Sequence, residues 1–485
     1  MSVTSALSSA LTGLTATSRQ AEAVSSNVAN AATPGYARRE VSLTALSLGG
    51  SGQGVAIRGI TRQVDRFLID DRRAAQAAAA DRDLRAAFLN RLEQALGDPT
   101  DAGSLSARIA AFDTALIEAA SRPESEARLS AAADAARQLA QTLNRASETV
   151  QAERLRADRT IATTVDDLNA ALRQVRELNT QIRSFTGAGR DVSALLDQRQ
   201  QIVDGIAAIV PIREVEREHG QIALMTTGGA VLLDGKESVF GFTPVNTLVP
   251  EMTLESGGLG GLTLNGRPMA TSGGTSLVLG GTLAGLFAVR DELAVQGQAR
   301  LDAVARDLVE RFGAAGPDAT LAPGGAGLFT DNGAAFDPAD ETGLSSRIAL
   351  NAAVDPQAGG QVWRLRDGLG AAVPGPGGDS ALLVALSGAM TAARPTASAA
   401  LSGAGRSLSG LAADILSLTA TDRLGADAER AFTAARHAAL DEMEKAGGVD
   451  TDQELQSLLV IEKTYAANAK VIQTVDEMIN TLLGL

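Results

Sequence analysis

Few residues of this 485-residue chain are of the types that carry chemistry, and their spacing does not suit it. Cysteine is absent, which removes thiolate nucleophiles, thiolate metal ligands and disulfides together. The two histidines, His219 and His437, lie far apart, and neither stands in the H-E-x-x-H spacing that sets two imidazoles on one helix face. A zinc site would have to draw carboxylates from distant segments. There is neither a G-x-S-x-G nucleophile elbow nor a P-loop. Gly50-Ser51-Gly52-Gln53-Gly54 has the glycine content of a nucleotide loop without its strand–loop–helix context, and reads as a turn. Asp331-Asn332-Gly333 with Asp337, Asp340 and Glu341 offers the oxygen ligands of a calcium loop at the wrong spacing for an EF-hand, and reads as a solvated turn. Acidic pairs are abundant, but a glycosidase needs two carboxylates held across a cleft. The expectation is a chain with no catalytic residue, no cofactor and no metal.

What the spacing does specify is helices with a seam. Near the start, Leu7, Leu11, Leu14, Ser18, Ala21, Ser25 and Val28 alternate by four and three. Toward the end, Leu458, Ile461, Tyr465, Asn468, Ile472, Val475, Ile479 and Leu482 keep a similar rhythm. Each pattern predicts a helix whose seam needs a partner. Asn468 is the polar residue of the second seam; it either sets the register of a helix pair or faces a wet edge. Asn27 and Asn30, three apart, share a helix face, where their amides either satisfy open backbone groups or bridge to a neighbouring subunit. Thr33-Pro34-Gly35 ends that helix, since proline disfavours helix before it and glycine permits a turn. Tyr36 follows, a large apolar area with a polar tip.

Composition agrees with long, thin helices. Hydrophobic residues make up 45% of the chain but aromatics only 3%, and alanine, which favours helix and buries little area, supplies much of the difference. With 43 basic and 57 acidic residues the formal net charge is -14, which does not favour nucleic acid or an anionic membrane. No stretch approaches the ~20 apolar residues of a membrane span. The N-terminus lacks the basic head and unbroken apolar core of a secretory signal.

Residues 62–97, 104–120, 123–184 and 191–209 read as helices, and 36–64 as a small hairpin around Gly49-Gly50-Ser51-Gly52. Residues 211–280 read as β structure, 283–312 as helix, and 316–378 as an irregular segment with Trp363 anchoring a local core. Residues 379–446 return to helix, broken near Ser402-Gly403-Ala404-Gly405, and 450–483 form the last helix. The charges at Arg72, Arg73, Asp81, Arg82, Asp83 and Arg85 read as a solvated face. The expected class is mainly α with a β insertion: a discontinuous multi-domain rod with a long helical bundle and paired N- and C-terminal coiled-coil helices. The chain then leaves from one end and returns. Its terminal coiled-coil domain is 1–60 plus 448–485, its helical rod 61–210 plus 281–315 plus 379–447, and its outer β-rich and irregular domain 211–280 plus 316–378.

Ala10-Leu11-Thr12-Gly13-Leu14 followed by Ser26-Asn27-Val28-Ala29-Asn30-Ala31-Ala32-Thr33-Pro34-Gly35-Tyr36 resembles the bacterial flagellar rod, hook and hook-associated proteins. Gly448-Val449-Asp450 through Glu454, and Tyr465-Ala466-Ala467-Asn468 through Leu482-Leu483, resemble their C-terminal partner motif. Glu177-Leu178-Asn179, Asp191 through Leu195-Leu196-Asp197-Gln198-Arg199, and Gly281-Thr282-Leu283-Ala284-Gly285-Leu286 narrow the resemblance to the FlgK family of hook-filament junction proteins. The chain departs from the family pattern in having Ser26 in place of a second asparagine and Ile461-Glu462 in place of a Tyr-Gln pair.

The resemblance implies a structural subunit of the flagellum and not an enzyme. It implies self-association in a tubular ring or helical layer, between the flagellar hook protein and the second hook-filament junction protein. An export chaperone would bind the C-terminal helix, and export would need no cleavable signal peptide, leaving the protein extracellular. The assembly interface it implies comprises Leu7, Leu11, Leu14, Asn27, Asn30, Pro34, Gly35 and Tyr36 at one end. At the other it comprises Leu458, Ile461, Tyr465, Asn468, Ile472, Val475, Ile479 and Leu482. Another axial subunit, or a flagellum-associated cell-wall hydrolase, are the alternatives; the 191–199 and 281–302 matches argue against the first, and the second needs a cleft with a poised carboxylate.

Overall fold

The computed structural model describes residues 3–33, 35–48, 51–273, 276–313, 316–401 and 403–483. Pro34, Gly49-Gly50 of the expected turn and Ser402 of the expected break lie outside the described residues, while Ser51 and Gly52 of that turn are already paired in the hairpin's second strand.

Helix α1 (Val3–Asn30) leads into a two-stranded antiparallel hairpin, β1 (Arg38–Leu48) and β2 (Ser51–Gln63). Helix α2 (Arg66–Leu96) starts where the Asp65 carboxylate accepts a hydrogen bond from the Leu68 amide, satisfying an open donor of the first turn. Helix α3 (Leu105–Ser121), capped in the same way by Ser104, turns into α4 (Glu126–Gly187). Helix α4 has 62 residues, hence a length of about 93 Å. Its heptad-like line from Leu129 through Leu139, Leu143, Ile161, Leu168 and Leu172 to Ile182 is fully buried. Helix α5 (Ser193–Ile209) folds back on it.

Then come a four-stranded antiparallel sheet in sequential order, β3 (Ile212–Glu216), β4 (Ile222–Thr226), β5 (Val231–Asp234) and β6 (Lys236–Glu237), and a small sheet of β7 (Phe240–Gly241), β8 (Thr263–Leu264) and β9 (Arg267–Pro268). Helix α6 (Gly281–Ala288) runs through a π-helical turn, Val289–Leu293, into α7 (Ala294–Arg311). The region read as irregular contains the pair β10 (Phe329–Asp331) and β11 (Ile348–Leu350) and the short helices α8 (Leu344–Arg347) and α9 (Arg364–Asp367). Helix α10 (Ala381–Thr391) is separated by the pair β12 (Arg394–Pro395) and β13 (Gly405–Arg406) from α11 (Leu408–Ala446), and α12 (Thr451–Leu483) completes the described elements.

The chain does return on itself: α1 packs along α12, and α2 along α11. The second pair is antiparallel and stitched by Arg72–Glu444, Arg82–Glu429 (3.0 Å) and Arg423–Glu93 (2.5 Å). The outer segments dock on α4 in the reverse of its own order. Asn179 holds Ile222, Asn169 holds Phe240, Asp158 accepts from Val245, Arg154 donates to Met252, Asn144 donates to Ser345, and Arg137 meets Asp355.

One hydrophobic core runs from Phe88 in α2 to Ile415 in α11, with Phe112, Phe312 and Phe329 in edge and tilted ring contacts 5.7–5.9 Å apart. Among the described residues, no buried member of that core lies in α1, the β1–β2 hairpin or α12.

Two expectations are corrected. Arg72, Arg73 and Asp81 are buried, not solvated. The arginines share Asp204 of α5 (2.7 and 2.6 Å), and Arg73 also reaches Glu214 (3.0 Å), so paired charges lie between helices. Trp363 is half-buried beneath Arg364; Val362 and Leu365 take the core positions around it.

Candidate assembly interface

Two kinds of surface meet in the terminal unit, one closed within the chain and one open. The closed one is a polar node at the end of α1. Asn27 is 1% exposed. Its Nδ2 donates to the Arg39 carbonyl (2.9 Å) and to Glu454 Oε2 (3.1 Å). Its Oδ1 accepts from the Arg39 amide (2.9 Å) and from the Tyr36 hydroxyl (2.9 Å). Every hydrogen-bonding position of that amide is thus used inside the protomer, so the reading in which it bridges to a neighbour does not hold for Asn27. Tyr36 also meets Ser26 Oγ (3.1 Å) and lies under the Arg39 guanidinium. Its polar tip therefore serves the protomer's own fold. Asn30 donates to the Ser26 carbonyl (2.9 Å), the local backbone role open to a helix-end asparagine.

Glu454 is equally buried, at 1%, and pairs with Arg38 Nε (2.6 Å). Asp450 starts α12 by accepting from the Asp452 and Gln453 amides, which fixes Glu454 one turn in. Arg39 and Arg62 are direct cross-strand partners. Like charges so placed repel, and Asp197 of α5 resolves this by taking both, at 2.9 and 2.7 Å. Gly35 has φ +73°, and a Cβ there would stand 2.6 Å from Gln201 Cγ, so the connector needs glycine to lie against α5.

The open surface is the outer side of the helix pair. The α1 face that meets α12 and the hairpin is made of Ala10, Gly13, Ala16, Thr17, Ala23, Val24 and Asn27, offset from the seam of large residues. Leu7 and Leu14 are half-buried at its border, and Leu11 is 51% exposed. On α12, Val475 is buried and Ile461, Asn468, Ile472 and Ile479 are half-buried, while Leu458 and Tyr465 (49%) face outward. Leu482 lies in the last turn of α12. Asn468 sits over Gly13, where an added Cβ would stand 2.8 Å from its Nδ2. A cleft of about 420 Å³ between α1, β1 and α12 is lined by Gln20, Val24, Arg38, Val41, Glu454 and Ile461.

Arg38, Arg39 and Arg62 escaped sequence reasoning. The signal was two arginines set opposite each other in a predicted hairpin, which call for an acid from elsewhere. The Asp331-Asn332-Gly333 segment, read as a solvated turn, holds Asp331 against Arg347 at 2.8 and 3.0 Å. Among the described residues, no group of three or more histidines and carboxylates is arranged to hold a metal, and no helix is long and apolar enough to cross a membrane.

The flagellar hook-associated protein FlgK helical domain matches residues 89–327, the flagellar basal body rod FlgEFG protein C-terminal region matches 443–485, and the flagella basal body rod protein family matches 7–36. Flagellar hook-associated protein 1 of Salmonella typhimurium is 27% identical over 285 residues, covering 54% of this chain and 51% of that protein. The protein of the same name from Bacillus subtilis is 29% identical over 240 residues, 47% of each chain. The chain thus spans about half the length of the curated relatives it matches. The solved flagellar hook junction protein FlgK from Burkholderia pseudomallei aligns at 21% identity with a TM-score of 0.44, over 54% of this chain and 46% of that one.

Returning terminal helices, closed by an asparagine node and matched at both ends to axial rod protein families, place the similarity in one class, the flagellar axial structural proteins. With the interior matched over 89–327 as well, the similarity within that class is to the FlgK flagellar hook-associated proteins.

Proposed function

We propose that this protein is a structural subunit of the bacterial flagellum at the hook-filament junction, needed for filament assembly. The observation that carries the reading is the split character of the terminal unit. Its polar node is complete within one protomer, yet Leu11, Leu458 and Tyr465 are left exposed around a helix pair already formed. Exposed apolar residues along paired helices are covered by further copies in an assembly.

The proposed interface retains Leu7, Leu11, Leu14, Leu458, Ile461, Tyr465, Ile472, Val475, Ile479 and Leu482, with Asn27, Tyr36 and Gly35 supporting it from within. The protein would form a tubular ring or helical layer, meet the hook protein on one side and the second junction protein on the other, and act outside the cell. A chaperone covering α12 before export is part of the same reading. So is the division into terminal, rod and outer domains.

The test is complementation of a clean gene deletion in the native host, with electron microscopy and assay of flagellin in the medium. The deletion is expected to give hooks without filaments and shed flagellin. The Leu11→Glu variant, whose monomer should melt like the parent, is expected not to restore filaments. Normal filaments in the deletion strain would overturn the junction role, and full rescue by Leu11→Glu would overturn the interface.

A further inference from the structure

We propose that the joint between the terminal unit and the rod is a polar hinge, latched by the Asp197 carboxylate with Arg39 and Arg62 as its two catches. The inference concerns the protomer and stands whether or not the chain assembles at the junction.

The first observation is where the apolar core stops. Its buried members end at Phe88 in α2 and Ile415 in α11, and none of them lies in the terminal unit among the described residues. Two covalent connections cross the joint: Val64-Asp65 between β2 and α2, and Gly447-Gly448-Val449-Asp450 between α11 and α12. Neither is a helix that would stiffen the crossing.

The second is what bridges the joint instead. Asp197 Oδ1 accepts from the Ala37 amide (3.3 Å) and Arg62 Nε (2.8 Å), and Oδ2 accepts from Arg39 (2.9 Å). One carboxylate on the rod thereby holds the connector and both strands of the hairpin. Arg62 adds a bond to Gln200, three residues after Asp197 on the same helix (2.8 Å). The side chains of this ion group keep 12–17% of their surface in contact with solvent. Water can therefore replace each bond as it opens, which a dry apolar contact would not permit. The Arg39 Nε is buried with no hydrogen-bond partner, so the closed latch strands one donor.

The third is the rigidity of the latch's base. Arg199, two residues on, points the other way: it donates to Asn179 Oδ1 (2.8 Å) on α4 and to the Gly220 carbonyl (2.7 Å). Asn179 in turn holds both backbone groups of Ile222. Further along α5, Asp204 takes Arg72 and Arg73 of α2. Helix α5 is thus fixed to α4, α2 and the sheet, and presents Asp197 across the joint as its one carboxylate bonded to the hairpin, with Gln200 beside it on Arg62. The segment Leu195–Arg199 has a mechanical division of labour, with Arg199 anchoring the helix and Asp197 positioning the terminal unit.

The test measures the joint directly in the full chain. Because the chain has no cysteine, spin labels attach only where cysteines are introduced. One pair at Ser25 and Arg173, both exposed, spans the joint; a second pair at Arg173 and Thr421 lies within the rod. Pulsed electron resonance on the parent is expected to give a narrow distance distribution for both pairs. In Asp197→Ala the joint-spanning distribution broadens and its maximum shifts by several ångströms, while the rod pair is unchanged. Arg62→Gln produces the same change to a smaller degree. Arg217→Gln, which breaks an exposed ion pair elsewhere, with Asp234, changes neither. Joint-spanning distributions that superimpose on the parent in both latch variants would overturn the proposal, as would a parent distribution already as broad as that of Asp197→Ala. If Asp197→Ala broadens the rod pair as well, the Arg62→Gln result decides.

Discussion

Replacing Asn27 with alanine should loosen the terminal unit and leave the rod intact. The side chain is 1% exposed and makes four hydrogen bonds. Two of the partners it would abandon keep another: Tyr36 retains Ser26, and Glu454 retains Arg38. The two backbone groups of Arg39 that Asn27 satisfies would lose that partner. A buried polar group left unsatisfied costs about 1–3 kcal/mol, so the two groups set a ceiling of about 2–6 kcal/mol, and with part recovered by water Asn27→Ala is expected to cost about 2–4 kcal/mol. Because the terminal unit has no share of the core from Phe88 to Ile415, that loss stays local. Hydrogen exchange is the assay. Amides protected within 3–33, 38–48 and 451–483 should exchange roughly 30- to 1,000-fold faster, at about 1.4 kcal/mol per tenfold, while α4 keeps its parent rates. Tyr36→Phe, which leaves Asn27 Oδ1 still accepting the Arg39 amide, should give a smaller change in the same peptides. An equal acceleration in α4, or none in the terminal peptides, would refute the reasoning.

Three further outcomes are expected. Gly13→Val should force α1 away from α12, since even a Cβ would stand 2.8 Å from Asn468 Nδ2; faster exchange confined to the two helices would bear this out, and unchanged exchange would not. Asp158→Ala should cost the rod about 2–4 kcal/mol in urea unfolding, because the buried Arg290 loses one of its two carboxylates, keeping Asp291, and the Val245 amide loses its acceptor; a loss under about 1 kcal/mol would count against it. Asp302 contributes to the pH dependence of stability. Burial pushes its carboxyl above the ordinary range, only partly countered by bonds from Ser345, Gly343 and Gln298. With the folded pKa above the unfolded one, the ionised group disfavours the fold at neutral pH, and this penalty fades as pH falls through the folded pKa. Asp302→Asn, permanently neutral, should therefore compare better with the parent at about pH 7 than at about pH 4; a difference that is flat or reversed in thermal melts would contradict the assignment.

The fold was legible where large residues repeat along one helix. The line from Leu129 to Ile182 predicted α4 as a rod, and the returning order predicted the two helix pairs. The contact face of α1 was less legible, because close packing uses Gly13, Ala10 and Ala23 while the large residues Leu11 and Val28 stay outside. A reading weighted by apolar size finds the surface that remains open, not the one already closed. Charge was least legible. Arg72 and Arg73 look solvated along α2, and their acids Asp204, Glu444 and Glu214 lie 131 to 372 residues away. Asn27 could be singled out from its place before a helix stop, but not the direction in which it turns. That depended on Arg39 and Glu454, which only the tertiary fold brings to it.

The bond between Asn27 and Glu454 spans 427 residues of chain. At a synthesis rate of about 5–20 residues per second, α1 is complete roughly 20–90 seconds before its partner acid exists. Through that interval α1 has the neighbouring hairpin to lean on, and neither α12 nor a finished amide network. Closure of the node therefore reports that the intervening chain has been made and has folded back. A molecule cut short between Ala446 and Glu454 keeps every element of the helical body and presents an unfinished end, so the bond that shapes the terminal unit forms only in a chain made through Glu454.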